Sequence, residues 1–202
     1  MIINLIRQAF MYSKKFFTIL FLLLIYYIEG YTQVPVLDNN PVSDTWFVLQ
    51  SDNFELIYQK EIEKEAYRVI KTLEAIYKPV NFSLGVTPEK IPIILQNRTA
   101  ISNGFVDFAP RRSEFFTTPP QNNDLLGSND WLTLLSIHEY RHVVQLSKSY
   151  TGMNRFIYQA FGEEAAGAMA SLAVPIWWWE GDAVAIETSL TQSGRGRIPA
   201  FN

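Results

Sequence analysis

Residues 131–146 read WLTLLSIHEYRHVVQL, and the fold has to be built around this stretch. Trp131, Leu134, Leu135, His138, His142 and Leu146 recur at helical spacing, which predicts an amphipathic helix. Ser128, Asn129 and Asp130 are all able to cap its N-terminus. His138 and His142 are the chain's 2 histidines, and they frame Glu139 in an H-E-x-x-H motif. Side chains four apart on a helix lie one above the other, so both imidazoles can reach one ion at about 2.0–2.1 Å. Glu139 is turned about 100° round the helix from His138, where it can reach a water without becoming a ligand. Both histidines fall on the apolar stripe. Two unpaired imidazoles on a buried face are costly, so the metal reading is preferred.

A third protein ligand must come from elsewhere. A three-histidine extension of the motif needs Gly at position 145 and His at 148, but the sequence has Gln145 and Lys148. With Cys 0 and no further histidine, the remaining ligand is a carboxylate. Glu163, Glu164, Glu180, Asp182 and Glu187 are the candidates. Spacing leans toward Glu163 or Glu164, about twenty residues beyond His142. Context favours Glu180, which follows Trp177-Trp178-Trp179 at the expected start of a helix, where a carboxylate needs a strong partner. Glu187, seven residues further along the same face, is a candidate hydrogen-bond partner for a ligand imidazole.

Working outward, residues 46–49 and 54–58 flank Ser51-Asp52-Asn53 in a strand–turn–strand pattern. Residues 61–78 carry apolar side chains at a 3.6-residue period, a helix expected to stop at Pro79. Residues 91–95 read as a strand whose Pro92 suits an edge position or a strand start. Residues 105–108 and 114–118 read as a second hairpin around a solvated turn at Arg111 and Arg112. Its Phe105, Phe108, Phe115 and Phe116 are expected in the core. Helices are expected over 156–173, ended by Pro175, and over 180–188. Strands first and helices second predict an α+β domain rather than alternating βαβ units.

Composition narrows the function classes. A net charge of -3 gives no basic surface for nucleic acid. The absence of cysteine removes thiolate metal sites and cysteine nucleophiles. Arg7, Lys14 and Lys15 precede an uncharged apolar run at 16–28 (FFTILFLLLIYYI), the pattern of a secretory signal expected to end near Thr32. Residues 33–202 then form the expected domain, exported to the periplasm, the outer membrane or the medium.

The stretch W-x-x-E-G-D-A-x-x-x-E-T at 177–188, followed by G-R-G-R-x-P-x-F at 194–201, resembles a bacterial group of gluzincin-like proteins of the peptidase MA-like clan. The likeness covers 131–201, a third of the chain. It implies a zincin-like fold, a zinc ion held by His138, His142 and Glu180, Glu139 as general base, and a peptide or protein substrate. It also implies a C-terminal β-propeller of the TolB type, and with it a longer protein. The reaction needs a second oxyanion donor; Tyr140, Tyr150, Tyr158, Arg141 and residues beyond Asn202 are candidates. Arg195 and Arg197 can grip a carboxylate of the protein or of a substrate. The competing expectation is a non-catalytic zincin-fold binding or assembly module of an exported propeller protein.

Overall fold

Strands β1 (Trp46–Gln50) and β2 (Glu55–Gln59) pair antiparallel, with Val48 opposite Ile57. The computed structural model describes residues 18–19, 40–108, 110–121, 130–192 and 194–198. Of the unit Met1–Asn39 it describes only Thr18 and Ile19, both helical, so the expected signal lies otherwise outside the described residues. The strands and the remaining helices belong to the unit Asn40–Asn202.

The β1–β2 turn is tied to the first long helix, α1 (Glu63–Phe82). Glu74 of α1 accepts hydrogen bonds from Ser51 Oγ at 2.6 Å, Asn53 N at 2.9 Å and Asn53 Nδ2 at 2.7 Å. Helix α1 runs through Pro79 rather than stopping there, which corrects the sequence expectation. Proline deprives the helix of one backbone hydrogen bond, but tertiary contacts hold the last turn. Val80 is fully buried, its carbonyl accepts from Arg141, and Asn81 accepts from Tyr140.

From α1 the chain enters β3 (Pro92–Gln96), which lies parallel to β2 with Leu56 opposite Ile93. The domain is α+β as expected and does not alternate throughout, but it contains one βαβ unit, β2–α1–β3. Pro92 does start its strand, but the strand is central. Strands β4 (Gly104–Phe108) and β5 (Arg111–Phe116) form the expected hairpin, and the five-stranded mixed sheet has the order β1-β2-β3-β5-β4. Arg111 and Arg112 open β5 instead of forming a solvated turn. Both are half-buried and ion-paired, Arg111 with Glu89 and Glu163, Arg112 with Asp107 and Glu114. Phe115 and Phe116 are buried, whereas Phe105 is only partly so; the Phe108 side chain lies outside the description.

Three helices follow: α2 (Trp131–Ser149), α3 (Met153–Ala173) and α4 (Ile176–Leu190). Asp130 is the N-cap of α2, accepting from Thr133 N at 3.0 Å. Helix α2 packs against α1, β4, β5 and α4, so its buried surface extends beyond one stripe and includes Ser136, Glu139, Arg141 and Gln145. The core joins Leu56, Ile93, Leu95 and Phe115 of the sheet to Leu73 of α1 and Val144 of α2. Helix α3 is interrupted at Gly162, whose φ of 86° is a left-handed-side conformation suited to glycine. Helix α4 begins directly after Pro175, a turn earlier than expected. Val174, before the proline, is extended, as that position favours. Leu172, Ile176 and Trp177 at this helix junction are exposed. No described helix is long and apolar enough to cross a membrane.

Candidate metal centre

Helix α2 supplies His138 and His142, and α4 supplies Glu180 from the turn that faces them. The two Nε2 atoms are 3.2 Å apart. Glu180 Oε2 lies 3.3 Å from His138 Nε2, and its Oε1 lies 3.5 Å from His142 Nε2. A tetrahedral ion with ligands at about 2.0–2.1 Å needs ligand atoms about 3.3–3.4 Å apart. The three separations bracket that value, so the donor set fits a zinc-sized ion in both chemistry and spacing. Among the described residues, these three side chains form the group able to hold a metal ion.

Each ring is aimed by a partner at its other nitrogen. His138 Nδ1 lies 3.1 Å from Oε2 of the fully buried Glu187. His142 Nδ1 lies 2.8 Å from Gln145 Oε1. A proton on Nδ1 of each ring, directed at these acceptors, would leave the Nε2 lone pairs for an ion. Gln145 is fixed in turn by donating to Trp179 O at 3.0 Å and to Asp182 Oδ2 at 2.7 Å. Arg141 grips both oxygens of Asp182 at 2.6 and 2.9 Å and donates to Val80 O at 2.7 Å. This chain of bonds runs from a ligand ring through α4 to the end of α1.

The charges follow from these contacts. Burial alone would lower the pKa of His138, but hydrogen bonds to Glu180 and Glu187 outweigh it and raise it to about 9. Hydrogen bonds from His138 and then His142 hold the Glu180 carboxyl well below the usual carboxylate range. Burial acts to raise the pKa of Glu187, yet hydrogen bonds from Arg195 and His138 bring it below its ordinary value.

Glu139 stands beside the ligands on the wall of a cleft of about 510 Å³. Its side chain is buried, and Oε2 has no hydrogen-bond partner among the described residues. Burial raises its pKa, with the neighbouring histidines opposing the shift. Strand β4 approaches closely here. A Cβ at Gly104 would lie 2.8 Å from Glu139 Cγ and 2.9 Å from its Cδ. Phe105, Val106, Trp131, Leu134 and Leu135 give the cleft an apolar wall.

The remaining candidates fall elsewhere. Glu163 is paired with Arg111, and Glu164 is exposed. Asp182 serves Arg141 and Gln145 rather than the ion. Tyr140 donates to Asn81 at 2.8 Å, while Tyr150 and Tyr158 line a different groove with Arg111. None of the oxyanion donors named from the sequence within the described residues lines the cleft. Tyr140 misses it for a helical reason: two residues from each histidine, it lies on the opposite face of α2. Arg195 does line the cleft and grips Glu187, a carboxylate of the protein itself. Pro199 and Phe201 of the sequence signature lie outside the described residues. Gln145 was not singled out as functional. Its signal was its place three residues after His142, on the same helix face.

No protein-family model, no curated protein and no solved structure matches the chain.

Proposed function

We propose that the chain is a zinc-dependent metallopeptidase of the gluzincin type with a zincin-like fold. The carrying observation is that His138, His142 and Glu180, the donor set, line one cleft together with Glu139, whose buried Oε2 has no hydrogen-bond partner among the described residues. A zinc ion held there supplies Lewis acidity, which makes a water acidic enough to lose a proton near neutral pH and polarises the carbonyl under attack. With the ion bound, Glu139 would accept that proton and return it to the departing amine. Burial favours the protonated form it must pass through. Glu187 and Gln145 keep the ligand rings from rotating. Strand β4, the edge of the sheet, offers backbone groups with which an extended peptide can pair, and the apolar wall receives its side chains. Export is part of this proposal, supported by the basic-then-apolar residues 7–28; the C-terminal propeller rests on the resemblance described above.

Zinc content and peptide hydrolysis, measured on the wild type, Glu139→Gln and Glu180→Ala, test the reading. Glu139→Gln is expected to keep zinc and lose about 100-fold or more in turnover, since a general base contributes about 10²–10⁴-fold. Glu180→Ala is expected to lose the ion. Wild-type protein that holds zinc but cleaves no member of a peptide library would defeat the peptidase assignment. That outcome would leave the second reading, a non-catalytic zincin-fold binding module. It is favoured by one observation: Tyr140, Tyr150, Tyr158 and Arg141 all stand outside the cleft.

A further inference from the structure

Beyond α4 the chain folds back onto the end of that helix in a short 3-10 turn, Arg195–Arg197. The fit is close on both sides of Arg195. A Cβ at Gly194 would lie 2.3 Å from the Thr188 Cα, and one at Gly196 would lie 2.9 Å from Thr188 Oγ1. Gly196 N donates to Thr188 Oγ1 at 3.0 Å, and Arg197 Nη2 donates to Thr188 O at 3.1 Å. The first contact leaves no room for a side chain at position 194, so the backbone can reach α4 only as glycine there. Arg195 is thereby delivered to Glu187. Its backbone N and Nε donate to Oε1 at 3.2 and 2.7 Å, and its Nη2 donates to Oε2 at 2.6 Å. The same Nη2 lies 2.6 Å from His138 Nδ1, so Arg195 and the ligand ring converge on one carboxylate oxygen.

We infer that Arg195 is a positioning residue of the metal centre: it fixes Glu187 in the orientation from which Glu187 aims His138 at the ion. The inference rests on the donor set proposed above and adds to it the Gly194-Arg195-Gly196 turn. Glu187 is fully buried, and a buried carboxylate keeps its place only while cationic and hydrogen-bonding partners hold it. With the Arg195 side chain removed, only the backbone N–H of residue 195 and one ring nitrogen are left to orient Glu187, and the acceptor of His138 is less firmly held. Partners of metal-ligating histidines typically contribute about 10–100-fold to metal affinity. Arg195 is expected to contribute on that scale although it touches no ion.

The test measures Zn²⁺ affinity by chelator competition, together with the visible spectrum of the Co²⁺-loaded protein. The full chain is compared with Arg195→Gln, Glu187→Gln and the double variant. Each single change is expected to weaken Zn²⁺ binding about 10–100-fold and to shift the Co²⁺ bands. The double variant is expected to bind no more weakly than Glu187→Gln alone, because Arg195 acts through Glu187. Arg195→Lys, which keeps the charge but not the two-pronged grip, is expected to restore only part of the loss. Should Arg195→Gln fail to fold because Glu187 is left unpaired, Glu187→Gln against the double variant still decides, since neither buries a lone carboxylate. Wild-type affinity in Arg195→Gln, or losses that multiply in the double variant, overturn this inference alone. A wild-type chain that takes up neither ion overturns the donor set and this inference together. Ion binding without peptide hydrolysis overturns the peptidase and leaves this inference standing.

Discussion

At His138, proton and ion compete for the same ring. Without metal, Glu180 and Glu187 flank the imidazole and raise its pKa from 6.5 to about 9. A base whose pKa is higher in the folded state stabilises the fold fully below its unfolded value. That contribution is lost as pH climbs through the folded value. The metal-free protein is therefore expected to lose stability steadily between pH 6.5 and about 9, as calorimetry in the presence of a chelator would record. Glu180 and Glu187 contribute no slope in this window, because their depressed carboxyls are ionised in both states. Glu139, with its pKa raised by burial, adds a slope of the same sign as His138 above its ordinary value. A flat profile over the window would mean that the His138 contacts with Glu180 and Glu187 do not form in solution. At this scale the sequence was informative where chemistry depends on spacing. His138, Glu139 and His142 followed from one helical turn, and Glu187 from two. Glu180 was reached for the wrong reason. Its side chain is 56% exposed, and Trp177 and Trp178 are exposed as well, so buried tryptophans do not demand a cation beside it. Gln145 and the Arg141–Asp182 pair became visible as site residues only once α4 was placed against α2.

Between elements, the decisive contact is the approach of β4 to α2. A methyl group at position 104 would press on Leu135 Cδ1 at 2.8 Å and on the Glu139 side chain at the same distance. Gly104→Ala is therefore expected to cost about 1–3 kcal/mol by overpacking. It is also expected to slow peptide hydrolysis about 100-fold by displacing the base, with zinc content unchanged. Unaltered turnover in a folded variant would show that Glu139 has freedom to yield. This contact was hidden in the sequence, where Gly104 simply precedes the strand expected at 105–108. Pro79 failed as a stop signal for a related reason: the tertiary partners of Val80 and Asn81, Arg141 and Tyr140, lie about sixty residues away. Local propensity cannot anticipate bonds made at that distance. The parallel pairing of β2 with β3 is not legible in the sequence, because the amphipathic pattern of α1 does not reveal that it is the crossover joining two strands.

For the molecule as a whole, the sheet with α1 and α2 forms one body with a continuous core, and α3 and α4 lie beside it. Few α3 residues are buried, among them Ala166, Gly167 and Ala170, and its helix is broken at Gly162. His138 and Glu180, the proposed ligands from α2 and α4, are 42 residues apart in the chain, and α3 lies between them. An ion at the centre thus closes a large covalent ring with a removable clasp, and α3 is the part of the ring with least support of its own. Stripping the ion should turn that arrangement into a protease-sensitive one. Mild digestion with a chelator present is expected to nick the chain near Gly162, separating the piece that carries His138 and His142 from the piece that carries Glu180. Restoring Zn²⁺ should suppress the nick. Identical cutting with and without the ion would mean that α3 and α4 hold their place by packing alone.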